Sequence, residues 1–503
     1  MGERHVNQVI YAKWMSLVHF VKQWMSPALF ATLGVLIIGI IVLFVPPYIG
    51  LADNGDFFRV FSSNGMYVDQ VQHTATQFGY FVKGYPIYEY FNEQHTAFFS
   101  SQSLFIQSAL FLNNFFLDGI FDIRFLALLY FIFLLGAVYL LVEGITIKMK
   151  GFSGYVVALF AILIFGDTAY IAYFNSFFGE GLMLIAMLYI SASLLLIYQN
   201  RYNDYWMLAL FFVSSILLIT TKQQNAPVAI VIGVLGLLLL FIKKNKAFRI
   251  WTASALGAIV LTGVLMYAFI PETFVTINQY QTMTRGVILN TEEPEKDLKD
   301  MGINEQFALL KGTTYFQKYK MVETDSPFME ENFYRHFGFV PVLQFYISHP
   351  NTLLQMLNLS AEHAFTIRPL EMGNYEKSAG KPFGAKTGFF TLYSTVKHNA
   401  SPSSFGMIVL FALAVILGYS RGSIQKWRLG DFRGLVRLDL VLILVGTSFA
   451  VLFTTIVGDG EADLAKHEFL FNVCFDILIL MILASLTEFT WKQIAKRRAK
   501  KHV

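Results

Sequence analysis

Along this chain, long apolar runs alternate with short charged connections. The runs fall at about 27–47, 124–145, 154–174, 180–199, 205–220, 226–242, 250–270, 404–420, 438–457 and 468–489. Lengths near or above about 18 residues predict membrane-spanning helices rather than buried helices of a soluble fold. Most of the runs carry no charge, which suits helices that satisfy their own backbone in lipid. The first, from Ala28 to Val45, is too long for a signal-peptide core and lacks a small-residue cleavage site, so it reads as a retained span. The stretch 101–117 differs. Gln102, Gln107, Ser108, Asn113 and Asn114 interrupt it, which predicts an interfacial or re-entrant helix rather than a further span.

Residues 271–403 break the alternation. Trp is absent there, and Tyr, Phe, His and charges are scattered, as in a small folded domain over the membrane. No internal repeat or low-complexity tract interrupts the chain. The expected fold is an all-α polytopic membrane bundle of about ten, at most twelve, transmembrane helices. Residues 1–270 form its N-terminal module with a first outer loop at 48–123, 271–403 an extracytoplasmic segment, and 404–503 the last helices and a basic tail.

Composition agrees: 55% of residues are hydrophobic and 14% charged, against roughly 25% charged in soluble domains. The basic residues set an orientation. Arg4, Lys13 and Lys22, then Lys148 and Lys150, Arg201, Lys243 to Arg249, Arg421 to Arg437, and Lys492 to Lys501 all fall on one side of a ten-span bundle. The positive-inside rule makes that side the cytoplasm and places both termini there, in a plasma membrane. The opposite face then has four parts: 48–123, 166–179, 271–403 and 458–467. Cys474 is the sole cysteine, so an internal disulfide is excluded.

Candidate chemistry gathers on that opposite face. Asp53 and Asp56 flank Asn54–Gly55 just after the first span. These residue types suit a turn and helix N-cap. They equally suit a general base or metal ligand at the membrane surface, and a cap leaves carboxylate acceptor sites free. Asp167 and Glu180 bracket Tyr170, Tyr173, Phe174, Phe177 and Phe178, with Asn175 and Ser176 among them. That run reads as a site wall or as an interfacial aromatic belt. In 458–467, a helix starting near Glu461 would put Asp463, Lys466 and His467 on one face. A lysine and a histidine at the lipid boundary can hold a phosphate leaving group; the plainer alternative is snorkelling by Lys466 with a surface ion pair to Asp463. Asp476, well inside the last span, is a functional candidate by its depth. A hydrogen-bonded role between helices explains it equally well. There is no Walker loop, dinucleotide fingerprint, zinc spacing or nucleophile elbow, and the cytoplasmic loops are too short for a nucleotide-binding domain. An activated donor should therefore be membrane-borne.

Four stretches carry a resemblance that covers nearly the whole chain: 53-DNGDFFRV-60; 173-YFNSFFGEG-181; 346-YISHPNTLL-354 with 373-GNYE-376; and 458-GDGEADLAKHEFLFN-472. Together with the first span and its acidic loop, they resemble the GT-C superfamily of lipid-sugar glycosyltransferases, more narrowly the bacterial hexose transferases of surface-layer and cell-surface glycans. The resemblance implies an active site on the outer face and transfer of a hexose from a polyprenyl-phosphate donor to a glycan, lipid or polymer acceptor, with inversion. It implies Asp56 or Asp53 as catalytic base, Asp56 being favoured. It implies Asp167, Glu180 and Asn175 as positioning groups for the acceptor or a metal. Lys466, His467 and Arg59 would bind the donor phosphate, with Asp459, Asp463 and Arg368 as additional candidates. The superfamily includes metal users, so Asp56, Asp167 and Glu180 are the candidate ligands of a divalent cation, Mg2+ or Mn2+. Two rivals stay open. A lipid-linked glycan polymerase or ligase would rely on Arg335, His336 and Arg368 in the long segment. A transporter would want broken helices and mid-membrane polar groups, of which Asp476 is nearly alone.

Overall fold

The computed structural model describes residues 25–88 and 99–501; the basic residues Arg4, Lys13 and Lys22 lie outside them. The chain is an all-α polytopic membrane protein. Every one of the ten predicted spans coincides with a helix. Eight are long and apolar enough to cross a membrane alone: α1 (Pro27–Phe44), α3 (Arg124–Thr146), α5 (Glu180–Gln199), α6 (Asp204–Thr221), α7 with its flanking turns (Gln223–Phe241), α8 (Lys246–Ala268), α14 (Phe432–Asp459) and α16, apolar over Phe469–Arg497. The other two are bent pairs. α4 (Ser153–Phe165) continues into Thr168–Asn175 at 48°, and α12 (Leu392–Ala400) meets α13 (Phe405–Ser420) at 113°. Pro402 falls in the second break, where it cannot continue a helix.

Local signals set the helix ends. Pro27 opens α1 where its missing N–H is no loss, and Ser26 Oγ accepts from Leu29 N. Asn203, Asn245 and Asp431 cap α6, α8 and α14 in the same way. α5 is apolar on every side and almost wholly buried, as befits a central helix. It packs on α3, α6, α14 and α16. Gly39 of α1 lies against the Phe131 ring, which a Cβ would approach to 2.2 Å. At the end read as cytoplasmic, Arg433 grips both oxygens of Asp204 at 2.9 and 2.8 Å, and Lys243 joins at 2.9 Å.

α2 (Gln102–Asn113) is not a span. Its 12 residues extend only about 18 Å, short of a hydrocarbon core of about 30 Å. It packs along α3 and is pinned at its start, where Ser101 N bonds Thr220 O at 3.0 Å and Ser100 Oγ donates to Thr221 O at 2.8 Å. The only strands among the described residues, β1 (Gly84–Pro86) and β2 (Ile120–Asp122), pair antiparallel with Tyr85 opposite Phe121.

The segment after α8 has its own apolar core, built from α9 (Glu272–Thr282), the turns that follow, α10 (Phe339–Ser348) and α11 (Pro350–His363). Ile456, Val457 and Leu464 join that core from the end of α14 and the connection beyond it. The segment also braces the first loop. Gly50 N and Ala52 N donate to Asn374 O and Gly373 O, each at 3.0 Å, and Asn374 Nδ2 donates to Gly50 O at 2.9 Å. Gly373 N donates to Phe78 O at 2.8 Å. Gly79 O would lie 2.0 Å from a Cβ at 373, so only glycine permits this approach.

Candidate functional site

The loop after α1 separates its two acids. Asp53 Oδ1 accepts from Gly55 N at 2.7 Å and Phe57 N at 3.2 Å, while Oδ2 lies 3.1 Å from His73 Nε2. Gly55, at φ +104°, makes the reversal that these bonds require. Asn54 Oδ1 accepts from Asp56 N at 3.2 Å. Asp53 thus builds the turn, and Asp56 is delivered to a cavity of about 700 Å³ that its side chain lines.

The Asp56 carboxylate meets two cations there. Arg59 Nη2, one helical turn on, is 3.2 Å away, and Lys466 Nζ makes a short ion pair with the other oxygen. Lys466 belongs to α15 (Leu464–His467), a single turn ahead of α16. No helix starts at Glu461; Asp463 instead sits at φ +49° as the N-cap of that turn. Its carboxylate accepts from Asn54 Nδ2 at 3.3 Å and lies 3.9 Å from Lys466. Burial pushes the Asp463 carboxyl up from its ordinary range. Burial pushes the Lys466 ammonium down to about 7, with Asp53 pulling the other way.

His467 is engaged at both ring nitrogens. Gln224 Nε2 donates to His467 O at 3.1 Å, which turns Gln224 Oε1 toward His467 Nδ1 at 2.7 Å and places the ring proton on Nδ1. Burial, then Lys466, Lys222 and Arg59, hold the imidazole well below its ordinary value. Its Nε2 faces Asp459 Oδ2 at 3.3 Å. Asn278, with its amide nitrogen toward the carboxylate, donates to Asp459 Oδ1 at 3.2 Å. Asp459 and His467 both line the cavity.

Glu180, at the first turn of α5, is fully buried and makes a short ion pair with Lys222, another lining residue. Lys222 and Gln224 lie on a fifth connection at this end of the bundle, between α6 and α7. Sequence reasoning passed over both. Lys222 falls directly after an apolar run, between two predicted spans, and no motif around it marks it out. Arg59 is held between Asp56 and the Phe274 ring, whose centroid is 4.7 Å from its guanidinium carbon. Its Nε has no hydrogen-bond partner among the described residues. The polar end therefore carries three cations, Arg59, Lys222 and Lys466, beside Asp56. From there the cavity runs into an apolar part lined by Tyr267, Ile270, Phe274, Phe339, Leu343 and Phe453.

The remaining candidates lie elsewhere. Asp167 caps the helical turn after α4 through Ala169 N at 2.8 Å and takes Ser394 N and Oγ at 2.9 and 2.8 Å, joining α12 to the bundle. Asn175 Nδ2 donates to Ile49 O at 2.8 Å and Leu43 O at 3.3 Å, fastening the exit of α1. Arg368 is bound to Asn374 Oδ1, with its guanidinium lowered by burial. None of the three lines the cavity, and neither do Arg335 and His336. Asp476 is fully buried and accepts from Tyr170 and Tyr393 hydroxyls at 2.6 Å and from Lys397 Nζ at 2.5 Å. As ligands for a divalent cation, Asp56, Asp167 and Glu180 do not fit. Each carboxylate is engaged by a different partner, and no group of three or more His, Cys, Asp or Glu is placed to hold a metal among the described residues.

No curated protein and no solved structure matches the chain. Its sequence does match one family model, described as the YfdI N-terminal transmembrane domain, over residues 12–503. A membrane bundle that closes on one amphipathic cavity is what this family model covers here from near one end to the other, and the chain belongs to the YfdI N-terminal transmembrane domain family.

Proposed function

We propose that the chain is a membrane glycosyltransferase of GT-C type that moves a sugar, a hexose by the sequence resemblance, from a polyprenyl-phosphate donor to a cell-surface acceptor. The carrying observation is that one cavity joins a carboxylate and three cations at its polar end to an apolar trough beside α8 and α14. A lipid-linked sugar phosphate has the same two-part chemistry. In this reading the face bearing the cavity is extracytoplasmic. The phosphate rests against Arg59, Lys222 and Lys466, which stabilise the charge that develops as the bond to the anomeric carbon breaks. Asp56 takes the proton of the attacking acceptor hydroxyl. In the same reading a proton held between His467 Nε2 and Asp459 Oδ2, 3.3 Å apart, goes to the departing phosphate oxygen.

The polymerase or ligase reading lacks this support, because Arg368 is bonded within the fold and Arg335 and His336 lie off the cavity.

The test is a panel of polyprenyl-phosphate sugars offered to purified protein in nanodiscs. One donor should bind and be consumed. Asp56→Asn should bind donor at least as tightly as the parent chain and lose about 10²–10⁴-fold in turnover. Near-normal turnover in that variant would remove Asp56 as the base.

A further inference from the structure

α10 divides its surface into three sectors. Val342, Phe345 and Tyr346 face inward and are buried in the core of the segment. Gln344 and Ser348 make an exposed polar edge. Between them runs an exposed apolar stripe: Phe339 at 51%, Val340 at 60%, Leu343 at 40% and Ile347 at 70% exposure. At 100° per residue these four fall within about a quarter of the helix circumference. Each keeps 40% or more of its surface open.

Its depth can be read from a neighbour. The Phe339 ring stands 6.5 Å from the Tyr267 ring, edge to face. Tyr267 lies in the last turn of α8, a membrane span, so Phe339 is level with the end of a lipid-facing helix. Tyr267 is itself exposed, as are Leu261, Val264 and Leu265 earlier on α8. Arg335 is exposed just ahead of the helix, where a cation suits a phosphate headgroup layer. α2 has the same design, with Leu104, Phe111, Phe115 and Phe116 exposed beside α3.

We propose that α10 is immersed in the membrane, its Phe339–Val340–Leu343–Ile347 stripe among the acyl chains at the level of the last turn of α8. Phe339 and Leu343 also line the cavity, so that edge of the stripe borders the cavity mouth. The segment is anchored in the bilayer as well as placed over it. This inference does not depend on the enzymatic reading.

Nitroxide labels on the full chain in nanodiscs test it. Single cysteines replace Leu343, Gln344, Ile347 and Ser348 in a Cys474→Ala background. Leu343→Cys and Ile347→Cys labels should collide with dissolved oxygen at least several-fold more than with a water-soluble nickel chelate, and Gln344→Cys and Ser348→Cys labels should show the reverse. Equal access of nickel to positions 344 and 347 would overturn the proposal. So would a stripe shielded from both reagents, which would mean that protein, a partner or a second copy, covers it. All four positions are exposed, so the labels should not unfold the chain, and elution as a monodisperse peak checks that they have not.

Discussion

The Asp476 cluster and the Asp56 cluster use the same groups, a carboxylate against a lysine, with opposite results. Asp476 receives three donors in the packed interior, and Lys397 is 3% exposed. Every strong interaction there is closed. Asp56 faces a cavity, keeps 23% of its side chain accessible and shares two cations, one of which has a nitrogen without a hydrogen-bond partner among the described residues. A closed network holds helices together; an open one has capacity left for a ligand. The difference lies in what surrounds the charges, and residue type alone does not reveal it.

The strongest way to break this contrast is Lys397→Met. It leaves Asp476 without its cation in the interior and should cost about 3–5 kcal/mol, measured by denaturant titration in micelles. The pair Lys397→Met/Asp476→Leu should recover most of that. Loss of phosphate affinity with stability intact would move Asp476 into the functional class. A second comparison concerns Glu180→Gln. Removing the carboxylate that occupies Lys222 should tighten binding of a short polyprenyl phosphate about tenfold, or about 1.4 kcal/mol, by calorimetry; Asp476→Asn should leave it unchanged.

The pH dependence sharpens the open side. Lys466 is pushed down to about 7, whereas an ordinary lysine titrates near 10.4. Phosphate affinity should therefore fall several-fold as pH rises from about 7 to about 9, and Lys466→Arg, charged throughout, should flatten that fall. The smallest effect is expected at Asp167. Asp167→Ala removes a cap and the tie to Ser394, costing about 1 kcal/mol of stability with turnover and donor affinity unchanged. A collapse in turnover would show that the boundary between the two kinds of cluster has been drawn in the wrong place.

The spans were legible because lipid imposes one solution on the backbone, and apolar length records it directly. The 113° break between α12 and α13 was not, since Pro402 lies just outside the apolar run. Asp56 and Asp53 are three residues apart and chemically identical in sequence. Only the turn geometry around Gly55 shows that one is consumed by backbone amides. His467 looked like a free phosphate ligand beside Lys466, yet its ring nitrogens meet Gln224, on a distant connection, and Asp459. Lys222 sits in a connection too short to attract notice, and Glu180, more than forty positions earlier, is its partner. Such pairings depend on tertiary proximity, which local pattern does not encode.

The ion pair between Asp56 and Lys466 has one more consequence. The resting pocket already contains its own surrogate anion, covalently tethered, so stray inorganic ions meet a neutralised surface. On the proposed reading, an arriving phosphate competes with that surrogate for the lysine and arginine. A carboxylate parted from two cations is in general a stronger proton acceptor, so that competition would prepare the base. Occupancy of the pocket and readiness to deprotonate are thereby two readings of a single exchange.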